Sequence, residues 1–137
     1  MDDDCPFCRI LEDERDARVV YEDARTIAFL DENPACLGHT LVVPTAHRPD
    51  LLVADAETTT AVFETVQRVS SAMETALEPD GFSVFYSTGS IVGQVEHAHV
   101  HLLPRYEDDD ISISLHRTTL TEEVEAELTD RIRAELP

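Results

Sequence analysis

The chain has 137 residues, the size of one domain with a single core, and 42% of them are apolar, which excludes a disordered polymer. It carries 29 Asp and Glu against ten basic residues, all of them Arg, for a net charge of −19. Such a charge argues against nucleic-acid backbones and anionic membranes as partners. No apolar run approaches the roughly 20 residues that span a bilayer. The opening "MDDDCPFC" is acidic where a signal peptide would be basic, so a cytoplasmic protein is expected. The acidic residues are spread along the chain with no single acidic tail. That spread predicts adaptation to a high-salt cytoplasm and a halophilic source. Three Cys is an odd number for a non-secreted chain and argues against a disulfide framework.

In chain order, "RVVYED" (18–23) and "TIAFLD" (26–31) read as two strands of a hairpin. "ENPACLGH" (32–39) is a loop broken by Pro34 and Gly38, and "TLVVP" (40–44) is a third strand. Val62, Val66, Val69, Met73 and Leu77 recur at helical spacing and predict one long helix over 55–78, stopped by Pro79 and Gly81. Their stripe reads as core. "FSVFY" (82–86) is a fourth strand, and the loop "STGSIVG" (87–93) leads into a fifth that carries the histidines. Thr121 can cap a last helix whose apolar face would be Val124, Leu128, Ile132 and Leu136. Strands and helices are segregated, which predicts α+β: an antiparallel five-stranded sheet with one long helix and a C-terminal helix. Residues 1–137 form a single domain in this reading.

"GQVEHAHVHLLPR" (93–105) places His97, His99 and His101 at alternate positions, with Ala98, Val100 and Leu102 between and after them. On a strand the three imidazoles share one face and the apolar residues take the other. Two chemistries fit: a metal site, or nucleophilic catalysis in which one His attacks while its neighbours orient it and bind an anion. The upstream loop supplies Ser87, Thr88, Ser90 and Gln94, with Gly89 and Gly93 for close backbone approach. Hydroxyls, an amide and free N–H groups suit a phosphate better than a metal.

"HAHVHLL" resembles the motif of the histidine triad (HIT) family. "CPFCRI", "VVYEDARTIAFLDENPACLGHTLVVPTAHR" and "GFSVFYSTGS" resemble further blocks of it, over roughly residues 5–106, with 107–137 as a C-terminal extension. The resemblance implies a nucleotide hydrolase or transferase acting at the α-phosphate of nucleotide conjugates. His99 would be the nucleophile, forming a covalent nucleotidyl-histidine. His101 would hold phosphate oxygens, and the backbone carbonyl at His97 would orient the His99 ring. Gln94 and Ser87 would add phosphate donors. Asp31 would take the ribose hydroxyls, and Phe7, Ile10 and Phe29 would line the base pocket. The implied substrate is a small purine nucleotide conjugate, either a nucleoside phosphoramidate or related adenylyl conjugate, or a dinucleoside polyphosphate. A non-catalytic nucleotide-binding module is the rival from another class. The implied assembly is a homodimer joined edge to edge.

Two residues, Val95 and Glu96, stand between Gln94 and His97 where the common family pattern has three. The position missing here usually carries a hydroxyl. Cys5 and Cys8 form a C-x2-C pair, which cannot close a tetrahedral zinc site alone. In zinc-containing relatives the further ligands match His47 and His97, so the resemblance implies a structural zinc held by Cys5, Cys8, His47 and His97. Cys36 reads as a small buried residue and His39 as structural packing under its strand.

Overall fold

The computed structural model describes residues 5–13, 16–89 and 95–137. A short helix α1 (Pro6–Leu11) precedes strands β1 (Val19–Glu22), β2 (Thr26–Leu30) and β3 (Thr40–Pro44). A 3-10 turn at Leu51–Val53 leads into the long helix α2 (Ala56–Leu77). Strands β4 (Gly81–Phe85) and β5 (Val100–Arg105) follow, and helix α3 (Glu122–Glu135) comes last. The five strands form one sheet in the order β1-β2-β3-β5-β4, with every neighbouring pair antiparallel. This is the α+β architecture that the segregated pattern predicts.

Side-chain chemistry fixes the turns. Asp23 Oδ1 accepts from the N–H groups of Arg25 and Thr26, each at 2.8 Å, which closes the β1–β2 hairpin. Gly38, in the β2–β3 connection, has φ +94°, and a Cβ there would stand 2.9 Å from both Leu77 Cδ1 and Pro104 Cγ. Only glycine fits that turn. Asp55 caps α2 by accepting from Thr58 N–H at 3.0 Å, and Glu78 ends the helix in the left-handed conformation just before Pro79.

The sheet has two different faces. Ala28, Val42, Val100 and Leu102 pack with Val62, Val66, Val69 and Met73 of α2. Leu77, expected at the end of that stripe, is 41% exposed and stands over Gly38 beside Pro104. On the opposite face Ile27, Phe29, Leu41 and Val43 pack with Cys5, Phe7 and Cys8 of the α1 arm, with Ala17 and Val95 at the margin. The candidate site lies on this thinly covered face.

The histidine strand is shorter than its pattern suggests. β5 begins at Val100, and the β3–β5 ladder stops at the Val42–Val100 pair. Pro44 has no N–H to extend the ladder, and its carbonyl is taken by His97 Nε2 at 2.8 Å. An isolated bond from Ala98 N–H to the Arg48 carbonyl, at 2.6 Å, holds the preceding segment instead. Alternation survives nonetheless: Ala98 joins the α2-side core, while His97 and His99 pack against Phe7 on the other side. At the far end β5 continues through Pro104, which pairs with Phe82 of β4 beyond the reach of β3.

Thr121 caps α3 as its sequence predicts, accepting from Val124 N–H at 3.3 Å. No residue of α3 is buried, and Val124, Leu128, Ile132 and Leu136 are 39–64% exposed. No helix among the described residues is long and apolar enough to cross a membrane.

Candidate active site and metal centre

His97 is fully buried, and its two ring nitrogens have different partners. Nε2 stands 2.8 Å from the Pro44 carbonyl, which can only accept, so Nε2 carries the proton. Nδ1 is therefore a lone pair, and it faces Cys5 Sγ and Cys8 Sγ, each at 3.5 Å. Cys8 Sγ is also 3.2 Å from His47 Nδ1. The ligand atoms of Cys5, Cys8, His47 and His97 all lie within 4.8 Å of one another. Four N and S ligands at ordinary zinc bond lengths stand roughly 3.3–3.8 Å apart on a tetrahedron. The Cys5–His97, Cys8–His97 and Cys8–His47 contacts, 3.2–3.5 Å, come close to that spacing, the donor set is two thiols and two imidazoles, and His97 already has the backbone partner that orients a ligating imidazole. Burial pushes the His97 pKa down to about 4, aided by the neighbouring His47 and His99 and opposed by the Pro44 bond. The ring is thus neutral at pH 7, as a metal ligand must be. Cys5 also caps α1, its Sγ accepting from Cys8 N–H at 3.4 Å.

The His99 ring is turned by the same segment. Its Nδ1 is 2.8 Å from the His97 carbonyl, so Nδ1 carries the proton and Nε2 keeps a lone pair. His101 lies beside it, ring centroids 5.1 Å apart, and stacks on Phe85 at 4.5 Å and 14°. Burial pushes the His101 pKa down to about 4, with His99 and His39 adding to the effect and Asp31 opposing it. The neutral His101 ring therefore stands beside that of His99.

Two clefts meet at His99. The larger, about 800 Å³, is lined by Phe7, Ile10, Phe29, Asp31, His99 and His101 among others. Phe7 packs edge-on against Phe29, His97 and His99 at 5.1–5.8 Å, which makes the α1 arm a wall of this cleft. Asp31 leaves β2 with Oδ1 accepting from Asn33 N–H at 2.9 Å. The smaller cleft, about 290 Å³, is lined by Ser87, Thr88, Gly89, Glu96 and the His97–His99 segment, with Asp50 and Tyr86 at its base. Tyr86 Oη donates to Asp50 at 3.0 Å and accepts from Leu51 N–H at 2.8 Å, which locks that floor. Gln94, Ser90 and Gly93 lie outside the described residues.

Eleven of the twelve residues expected from the sequence therefore fall into two adjoining groups, and Gln94 is the one left undescribed. Three contributors went unnoticed in the sequence. Phe85 reaches His101 through the β4–β5 register, which no local pattern reveals. Tyr86 carries a hydroxyl where the strand pattern shows only an aromatic ring. His39, expected to pack beneath its strand, has its Nε2 2.9 Å from His101 Nδ1.

A five-stranded antiparallel sheet with a triad of alternating histidines above a cleft defines a class, and the comparisons identify it. The HIT domain matches residues 12–108, and the chain belongs to the HIT family. Adenylylsulfatase HINT3 of Arabidopsis thaliana is 35% identical over 129 residues, covering 92% of this chain, which spans only 66% of that protein's length. An uncharacterised HIT-like protein of Methanocaldococcus jannaschii is 41% identical over 110 residues, 77% of this chain and 81% of that one. Among solved structures, a Streptococcus mutans protein superposes with a TM-score of 0.93 at 31% identity, covering all of this chain and 88% of its own. A zinc-bound histidine triad protein from Mycobacterium smegmatis gives 0.74 at 32% identity, over 96% and 98% of the two chains.

Proposed function

We propose that the protein is a nucleotide hydrolase that opens nucleoside phosphoramidates or related adenylyl conjugates at the α-phosphate through a covalent intermediate on His99. The observation that carries this reading is the 2.8 Å contact between His99 Nδ1 and the His97 carbonyl. It leaves the Nε2 lone pair available at a residue that lines both clefts. That lone pair attacks the α-phosphorus, and the bond from phosphorus to the leaving amine breaks as the amine gains a proton. Water then attacks the nucleotidyl-His99, releasing the nucleoside monophosphate and restoring the ring. His101 donates to a phosphoryl oxygen, where negative charge grows in the transition state. Ser87 and Gln94 are the further donors of this reading. Asp31 takes the ribose hydroxyls, and Phe7, Ile10 and Phe29 hold a purine base in the larger cleft. The activity in the name of HINT3, an adenylylsulfatase, supports the adenylyl class.

Cys5, Cys8, His47 and His97 would hold a zinc ion with four protein ligands, a closed structural site. Bound there, the zinc supplies folding energy and fixes the α1 arm; the chemistry belongs to His99 and His101. The zinc-bound relative and the convergence of the four ligand atoms to within 4.8 Å of one another support this assignment. The assembly in this reading is a homodimer. Among the described residues β4 pairs with β5 alone and is an edge of the sheet, and Phe63, Val84 and Phe85 are 40–46% exposed. Sedimentation showing only monomer at micromolar concentration would remove the dimer.

The activity is tested by comparing release of AMP from adenosine 5′-phosphoramidate with cleavage of a dinucleoside polyphosphate. Faster phosphoramidate turnover, lost in His99→Ala, is expected. Preferential cleavage of the polyphosphate would transfer the protein to the other hydrolase class. Tight AMP binding without turnover of either would make it a binding module.

A further inference from the structure

His39 is 5% exposed and immediately precedes β3, and both its ring nitrogens are engaged. The backbone around it is tied down by His39 N–H donating to the Cys36 carbonyl at 3.2 Å and Asp31 N–H donating to the His39 carbonyl at 2.9 Å. The Ala35 N–H donates to His39 Nδ1 at 3.0 Å. A backbone N–H can only donate, so Nδ1 holds no proton and the proton of the ring sits on Nε2. His39 Nε2 is 2.9 Å from His101 Nδ1 and 3.5 Å from Asp31 Oδ2. The shorter contact takes the proton, so His101 Nδ1 accepts. The reverse arrangement, with His101 Nδ1 donating, needs a proton on His39 Nδ1, where it would meet the Ala35 N–H head-on. The pair is also closer than two ligands of one tetrahedral ion would stand, so a hydrogen bond accounts for it better than a shared metal.

We propose that His39 is a positioning residue that relays the direction of the Ala35 N–H to His101 and thereby fixes His101 with its proton on Nε2. The His97 carbonyl does the opposite to His99, whose proton is on Nδ1. Two neighbouring imidazoles are thus locked in complementary tautomers by two backbone groups, one directly and one through His39. His99 presents a lone pair, and His101 presents a donor for the phosphoryl oxygen. Because His39 and not Asp31 meets His101 Nδ1, the Asp31 Oδ2 remains able to accept from ligand hydroxyls. The assignment of the tautomers rests on the structure alone; its value for catalysis rests on the hydrolase reading above.

The test is long-range proton–nitrogen NMR on the zinc-loaded, full-length protein labelled at histidine, recorded at pH 7.5 in molar KCl, together with steady-state kinetics on adenosine 5′-phosphoramidate. In the unmutated protein His101 should show a protonated Nε2 and an unprotonated Nδ1. His39→Leu should lose that single tautomer and lower kcat about a hundredfold, the order of a lost transition-state donor, with a smaller change in KM. His39→Gln, whose amide can still donate from the Nε2 position, should recover the tautomer and most of kcat. A protonated Nδ1 on His101 in the unmutated protein overturns the proposal. So does a His39→Gln protein that folds but is as impaired as His39→Leu, or a His39→Leu protein with an unchanged His101 tautomer. If no phosphoramidate is turned over, the hydrolase reading fails, while the NMR arm still decides what His39 does to His101.

Discussion

If Cys5, Cys8, His47 and His97 hold a zinc ion as proposed, its removal should release the α1 arm and leave the sheet standing. The arm runs over the seven residues from Cys5 to Leu11, and its side-chain anchors are Cys5, Phe7 and Cys8. Ordering its backbone costs about 1–2 kcal/mol per residue, hence about 7–14 kcal/mol in all. Burial of Phe7 contributes about 3 kcal/mol and the two thiols about 1–2 kcal/mol each. The bonds from Arg9 N–H to the Cys5 carbonyl and from Glu12 N–H to the Cys8 carbonyl, both 3.1 Å, add about 1 kcal/mol apiece. The sum is about 7–9 kcal/mol, at the low end of the cost, so the arm is marginal on its own. A structural zinc supplies apparent binding energies of about 10–16 kcal/mol and moves the balance decisively. Stripping the metal with a chelator, or substituting Cys8→Ser, should therefore abolish hydrogen-exchange protection at Cys8, Arg9 and Glu12 while β2 and β3 stay protected. With Phe7 and Ile10 no longer walling the larger cleft, KM should rise about tenfold, the equivalent of about 1.4 kcal/mol of lost binding. Unchanged protection of the arm in protein shown to be free of zinc would mean that the metal does not hold α1 in place.

Three further outcomes are expected. With 29 acidic against ten basic side chains, the urea midpoint should rise steeply between dilute buffer and molar KCl, where the screening length falls to about 3 Å; equal midpoints would remove the halophilic reading. The Tyr86→Phe protein should lose about 1–2 kcal/mol in urea unfolding, because Leu51 N–H and Asp50 lose their shared partner, and a midpoint within error of the original would contradict that role. His101 is held neutral with a pKa near 4 against 6.5 in an unfolded chain, so the unfolded state binds more protons between those values. Its contribution is complete above pH 6.5 and is lost as pH falls towards 4, by up to about 3 kcal/mol; unfolding in molar KCl with no loss between pH 7 and 4.5 would contradict the burial of this ring.

Much of this was legible in the sequence because its signals are local. Period-two runs marked the strands, four-three spacing from Val62 to Met73 marked α2, and Thr121, Pro79 and Gly38 punctuated the elements. The C-x2-C pair and the alternating histidines were visible as chemistry, though only the family resemblance joined them through His47. What escaped is non-local. The partnership of His39 with His101 crosses 62 residues, and Phe85 meets His101 only through strand register. The early end of the β3–β5 ladder depends on the Pro44 carbonyl being captured by a ring 53 residues away. The exposure of α3 reflects a similar limit: an apolar stripe says that a face can be covered, and not whether the same chain covers it.

The central claim is that His99 carries the nucleotide. The most direct measurement is the intact mass of the protein mixed with adenosine 5′-phosphoramidate in molar KCl and quenched in base within the first turnover. An added AMP mass that maps to His99 and is absent from His99→Ala is expected. Product release with no adduct at any quench time, or an adduct that persists in His99→Ala, would contradict it.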